Sequence, residues 1–183
     1  MADEMVNQSL EGKFGDEAFK DAVVKYRERI FLVMLKYVRN RDDAKDLTQE
    51  AFYRAYRSRE WFKGESSLYT WIFKIAVNLA LNFKERSHIS NLDSLEDSPQ
   101  LYSESDPSRG IISDELFRSI DQAVRLLPPR QRMTFVLRYY EEMPFSGIAD
   151  NLGVTEGAAK ANYHQAIKKL QTSMRPYLEN TIK

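Results

Sequence analysis

No cysteine occurs among the 183 residues. Disulfides are therefore excluded, and so are metal sites built on thiolates. Histidine is nearly as scarce. His88 and His164 lie far apart with no ligand pattern beside either, so neither reads as catalytic or metal-binding, and no metal or other cofactor is expected. The few glycines never gather into a phosphate-binding loop; Gly12 and Gly15 stand alone. No apolar run approaches the ~18 residues that a membrane span needs. The opening stretch, Met1 to Glu11, is polar and acidic, so neither membrane insertion nor a secretory leader is expected. An enzyme is the class these absences favour least, and a reducing cytoplasm is the compartment they fit.

The chain does carry the material for cores. Hydrophobic residues make up 43% and aromatics 12%, too many for a disordered chain. Its 27 basic and 27 acidic residues cancel, but unevenly along the sequence. Met1 to Ser90 is net +2, Asn91 to Asp121 net −6, and Gln122 to Lys183 net +4. A protein that binds DNA unaided usually carries more positive charge than this. Any DNA contact is expected to be weak without a partner.

Apolar periodicity predicts helices throughout, with little strand-like alternation and no internal repeat. Phe19, Val23, Tyr26, Ile30, Val33 and Tyr37 recur at spacings of four and three. Asn40 and Arg41 should break that helix, and Asp42 should cap a second one running to about Tyr56. A third is expected from about Ser67 to Arg86, with Leu68, Trp71, Ile75, Leu79 and Phe83 along one side. From Ser87 to Gly110, serines, acidic residues, Pro99 and Pro107 replace the periodic pattern, which reads as a linker. Beyond it Leu116, Ile120, Val124 and Leu127 mark a helix stopped by Pro128. Pro129 opens the next, with Met133, Val136 and Tyr140. The expectation is an all-α chain of two small domains, 1–90 and 112–183, joined by a flexible acidic linker over 91–111.

Phe145 to Leu170 carries the most interpretable local signal. A short helix with Ile148, Ala149 and Leu152 inward meets Gly153, which suits the positive φ of a tight turn. Thr155 can cap the following helix, and Glu156 suits its positive end. Ala159, Tyr163, Ala166 and Leu170 then form a buried stripe, with Lys160, Asn162, His164, Gln165, Lys168 and Lys169 opposite. Small residues Gly157, Ala158 and Ala161 would let such a helix approach base edges in a major groove. A plain helical hairpin with solvated polar residues would show much the same pattern.

In the first block, Asp46, Gln49, Glu50 and Tyr53 share a face opposite Leu47 and Ala51. That face is either solvated surface or a docking site for a basic partner. The stretch WFKGESSLYTWIFKIAVN (Trp61 to Asn78) crowds Trp61, Phe62, Tyr69, Trp71 and Phe73 around Gly64. Most of these rings are expected in the core. Their interleaving with Lys63, Ser66, Ser67, Lys74 and Asn78 also suits an unstacked base.

Three segments in order, DDAKDLTQEAFYRAY (Asp42 to Tyr56), FKGESSLYTWIFKIAVN (Phe62 to Asn78) and LPPRQRMTFVLRYYEEMPFSGIADNLGVTEGAAKANYHQAIKKL (Leu127 to Leu170), resemble the extracytoplasmic-function sigma factors of bacterial RNA polymerase. The resemblance spans about Phe14 to Met174. It implies a sigma region 2 helical bundle and a sigma region 4 helix-turn-helix. It also implies docking on the clamp helices of the largest polymerase subunit through Asp46, Gln49, Glu50 and Phe52. Reading of the single-stranded −10 element would fall to Lys63, Gly64, Glu65, Ser66, Ser67, Lys74, Asn78 and Asn82. The second domain would sit on the flap of the other large subunit. It would place Thr155, Glu156, Lys160, Ala161, Asn162, His164, Gln165 and Lys168 in the −35 major groove. An anti-sigma factor is implied as a further partner, and a monomer is expected when the chain is free.

Two departures from the family pattern stand out. Gly147 replaces a common Glu before the Ile-Ala pair, and Ala159-Lys160-Ala161-Asn162 stands where Val-Lys-Ser-Arg is frequent. Losing that arginine removes a phosphate or guanine contact. The alternative function is a helix-turn-helix regulator acting without polymerase, which leaves the Asp46/Gln49/Glu50 face and the aromatic loop without a role. A helical adaptor making only protein contacts is a second rival. The acidic linker is expected either to attract the DNA-facing surfaces of the free chain, making it compact, or to act as a solvated tether.

Overall fold

The computed structural model of the chain describes residues 15–90 and 114–181, with side chains over 15–83 and 118–177. Seven α-helices and one 3-10 turn account for the described residues, among which no strand occurs. The backbone divides into two units, Met1–Phe83 and Lys84–Lys183. The linker expected over 91–111 lies outside the described residues, as do its proposed contacts.

Unit 1 contains α1 (Asp16–Val38), α2 (Arg41–Arg57), the 3-10 turn (Arg59–Trp61) and most of α3 (Leu68–Ser90). Along α1 the buried set is Phe19, Ala22, Ile30, Val33, Met34, Tyr37 and Val38. Val23 and Tyr26, expected in that stripe, are only half-buried. The helix ends at Arg39, whose φ of 60° is left-handed and whose N–H donates to Leu35 O at 2.9 Å. The break thus comes one residue before the Asn40-Arg41 pair. Capping of α2 belongs to Asn40 rather than Asp42. Its Oδ1 accepts from the backbone N–H groups of Asp42 at 2.9 Å and Asp43 at 3.0 Å. Asp42 and Asp43 then occupy the first turn, where negative charge suits the helix dipole.

Ala44, Leu47, Thr48, Ala51, Phe52 and Ala55 are the buried side of α2, and α1 packs against this helix. On α3 the buried side is broader than the expected Leu68/Trp71/Ile75/Leu79/Phe83 line. Ile72, Phe73, Ala76, Val77, Ala80 and Leu81 are buried with Leu68 and Leu79, while Trp71, Ile75 and Phe83 sit at the margin. The buried set therefore combines large side chains, Leu68, Ile72, Phe73 and Val77, with the small ones at Ala76 and Ala80. Tyr69 ties α3 to α1: its ring lies 5.2 Å from that of Tyr26, and the Arg29 guanidinium sits 4.7 Å from its centroid. The helix continues to Ser90, past the expected end at Arg86.

Unit 2 packs α4 (Asp114–Arg125), α5 (Pro129–Tyr139) and α6 (Phe145–Leu152) on α7 (Glu156–Thr181). Val124, Leu127, Phe135 and Ala166 form a buried cluster, flanked by Ile120, Tyr140, Tyr163, Ile167 and Leu170. Pro129 does open α5, with Pro128 as its cap residue. α7 runs beyond Leu170 and through Pro176, which removes one backbone donor from its last turns.

The Asn40 cap leads to a direct prediction. Asn40→Ala should lower unfolding stability by about 1 kcal/mol, read as a lower urea midpoint with an unchanged helical circular-dichroism spectrum in water.

Candidate nucleic-acid interface

Burial of one face of α2 sorts the residues expected to meet the polymerase. Asp46 and Gln49 are exposed, and Glu50 is half-exposed, with its Oε1 2.6 Å from Arg54 Nε. Phe52 does not share that face. It is 7% exposed, and its ring meets Phe19 edge-on at 6.4 Å. Position 52 falls beside Ala51 and Thr48 on the inward side, so its ring locks α2 to α1 instead of offering a surface. Tyr53 is exposed on that side as expected, and a shallow groove runs along Glu50, Tyr53, Arg54, Arg57, Ser58 and Ile75.

The residues expected to read the −10 element are all exposed: Lys63, Gly64, Glu65, Ser66 and Ser67 in the loop, then Lys74, Asn78 and Asn82 on one side of α3. Gly64 turns the loop with φ +72°. Ser67 caps α3, its Oγ accepting from Thr70 N–H at 3.1 Å and lying 2.8 Å from the Thr70 hydroxyl. This cap uses some of the hydroxyl's capacity, so Ser67 serves the helix as well as the surface. Phe62 packs on Trp71 at 5.1 Å and anchors the loop.

Trp61 departs from the expectation that most of these rings are core. It is 79% exposed. The 3-10 turn holds its backbone, with Trp61 N–H donating to Ser58 O at 2.9 Å. Beside it Arg59 is folded over Tyr56 at 4.0 Å and lies 3.6 Å from Asp16. Its neighbour Phe62, also between the two helices, packs on Trp71 of α3 instead, so position in the sequence did not separate the two rings.

In unit 2, α6 ends at Gly153 with φ 62° and ψ 40°, the left-handed turn expected of that glycine. Thr155 Oγ1 accepts from Ala158 N–H at 3.1 Å, which caps α7 as expected. Thr155, Glu156, Lys160, Ala161, His164, Gln165 and Lys168 are exposed, and Asn162 is half-buried. Ala159 and Ala166 are fully buried, with Tyr163 and Leu170 at the margin of the same stripe. The glycine at 147 has a local reason. A Cβ there would lie 3.2 Å from Met143 Cγ, so the Met143 side chain occupies the space a larger residue would need. Among the described residues no cluster of His, Asp or Glu is arranged to hold a metal. None of the helices is long and apolar enough to cross a membrane, again among the described residues.

Two family models match these two units: Sigma-70 region 2 over residues 22–88, and Sigma-70, region 4 over residues 117–170. The first contains the α2 face and the loop-and-α3 face just described, and the second contains the exposed side of α7. The chain belongs to the sigma-70 family, in its extracytoplasmic-function group. Its function is to direct RNA polymerase to specific promoters at transcription initiation. Relatives of this sigma factor include the RNA polymerase sigma-H factor of Pseudomonas aeruginosa, 29% identical over 90% of both chains. The ECF RNA polymerase sigma-E factor of Haemophilus influenzae is 29% identical over 97% of this chain and 100% of its own length. That of Escherichia coli K12 is 28% identical over 97% and 99%. The fold is similar to the sigma factor RpoE of Bartonella quintana, solved with the anti-sigma factor NepR. The TM-score is 0.64 and identity 20%, over 86% of this chain and 96% of that one. It is similar too to CnrH, solved with the cytosolic domain of CnrY, with TM-score 0.66 and 18% identity over 96% and 99%.

The left-handed turn between α6 and α7 should be sensitive to a side chain. Gly153→Ala meets no neighbouring atom, so its cost is backbone strain of about 1–2 kcal/mol. Hydrogen exchange should speed up in α6 and the first turns of α7 and stay unchanged in unit 1.

Proposed function

We propose that the sigma factor divides its task by surface. The Asp46/Gln49/Glu50 face of α2, with Tyr53, docks on the clamp of the largest polymerase subunit. The 61–67 loop and the Lys74/Asn78/Asn82 face of α3 read the −10 element as single strand. Thr155 to Lys168 enters the −35 major groove while unit 2 rests on the flap of the other large subunit. One observation supports this reading: Asp46 and Gln49 on α2, Lys63 to Ser67 with Lys74, Asn78 and Asn82, and Thr155, Glu156, Lys160, His164, Gln165 and Lys168 are all exposed, while Leu47, Ala51, Ile72, Ala76, Ala159 and Ala166 on the same helices are buried. Lys74, Asn78 and Asn82 recur every fourth residue, so their side chains form a track about 12 Å long, enough for two or three nucleotides. Trp61 adds an exposed apolar ring just before the loop that leads into α3, and a stacked base is worth about 1–3 kcal/mol on such a ring.

The protein acts as a binding factor rather than as an enzyme, in the cytoplasm where the polymerase is. An anti-sigma factor is its regulator, a reading supported by the similar folds solved with such partners. Run-off transcription by purified core polymerase, with and without the protein, tests the whole. If the isolated protein shifts promoter DNA at physiological salt and gives no run-off transcript, it is the polymerase-independent regulator instead.

Three variants separate the surfaces. Glu50→Lys should weaken core-polymerase binding roughly tenfold with an unchanged circular-dichroism spectrum; undiminished pull-down removes α2 from the interface. Asn78→Ala should cost about 1–3 kcal/mol in promoter opening while leaving polymerase affinity intact, as measured by permanganate footprinting. Trp61→Ala should slow opening of duplex promoters more than binding to a pre-melted bubble lacking the base it stacks on.

A further inference from the structure

Lys160 is held from two sides. Its Nζ lies 2.6 Å from Glu156 Oε1, one turn back on α7, and 6.0 Å from the ring centroid of Phe145, the first residue of α6. The ring is itself fixed. The Arg138 guanidinium sits 5.0 Å from its centroid, Tyr163 meets it at 5.7 Å and 66°, and Arg138 Nη1 donates to Met143 O at 3.1 Å. The side chains of Lys160 and Glu156 nonetheless remain 58% and 50% exposed, so the pair is open to a ligand while it biases the lysine toward one rotamer.

An unrestrained lysine is a flexible point charge, and on DNA most of its contacts go to phosphates, which carry no sequence information. Lys160 cannot swing to the backbone without giving up both the carboxylate and the ring. Its ammonium has three N–H donors. Glu156 Oε1 takes one, and the others remain for the O6 and N7 acceptors of a guanine edge. We propose that Glu156 is a specificity-determining residue that acts through Lys160: it positions the ammonium on a base edge and keeps it off the phosphates. The proposal rests on the placement of α7 in the −35 major groove and adds to it a stated division of roles. Lys160 makes the contact, and Glu156 with Phe145 aims it.

The test uses holoenzyme reconstituted from core polymerase and the full chain, selecting from a promoter library randomised over the upstream element. Wild type, Glu156→Gln, Lys160→Gln and the double variant are compared. Glutamine keeps the length and helical preference of glutamate, so folding is preserved. Wild type should select guanine at one base pair. That preference should fall about fivefold or more in Glu156→Gln, equally in Lys160→Gln, and no further in the double variant. Binding of the full chain to duplex DNA should steepen in salt dependence by about one phosphate in Glu156→Gln, since the freed lysine finds the backbone. In Lys160→Gln it should not steepen. Identical selected sequences for wild type and Glu156→Gln would overturn the positioning role while leaving α7 in the groove. A Glu156→Gln effect that persists in the Lys160→Gln background would show that the carboxylate acts alone, and would also overturn it. If wild type selects nothing from the upstream element, the placement of α7 fails and the proposal falls with it.

Discussion

The contact between α7 and the three helices before it organises the whole of unit 2. α4, α5 and α6 are short, and each finds its main partner in α7. Ala159 and Ala166 are small enough to bring those helices close, and Tyr163 fills the gap between them, stacked on Phe135 at 6.5 Å and edge-on to Phe145 at 5.7 Å. Replacing either alanine with a larger residue would push the helix off this bed, and overpacking costs typically 1–3 kcal/mol. With the inner stripe so occupied, only the outer side of α7 is left exposed. The packing that holds the unit together therefore also selects which of its side chains reach the surface.

Unit 1 follows the same logic with a different outer chemistry. Ala44, Ala51 and Ala55 on α2 and Ala76 and Ala80 on α3 are buried, and their small size allows close packing while leaving the flanks free. One flank of α2 is acidic and amide-bearing; one flank of α3 is basic and amide-bearing. The loop between them is pinned at Phe62 and Ser67, so Trp61 and Lys63 are displayed from a constrained turn and not from a wandering segment. Preorganisation of this kind reduces the entropy lost when a strand is captured.

The charge balance fits a factor that depends on its polymerase. Affinity for DNA grows with the number of phosphates neutralised, and here several cations are already engaged within the protein: Arg54 with Glu50, Arg59 with Asp16 and Tyr56, Lys160 with Glu156.

The sequence by itself determined the helices, most of the residues on their inner faces, and the turns and caps between them. Periodic apolar residues, the helix stop at Pro128, Gly153 and the Thr155 cap all act within a turn or two of the chain, so their consequences are readable without a partner element. The motifs that carry the family resemblance were legible for the same reason, because their residues are contiguous. Tertiary structure decided what depends on neighbours distant in sequence. Phe52 could have faced outward until Phe19 of α1 met it. The buried line of α3 widened to take in Ile72, Phe73, Ala76, Val77 and Ala80, which a single line of apolar spacing does not show. Trp61 was left outside while its neighbour Phe62 found Trp71 of α3, and Lys160 came to lie 6.0 Å from the ring centroid of Phe145 on α6. In each case the deciding contact joins residues on different elements, and only the packed fold brings them within van der Waals or electrostatic range.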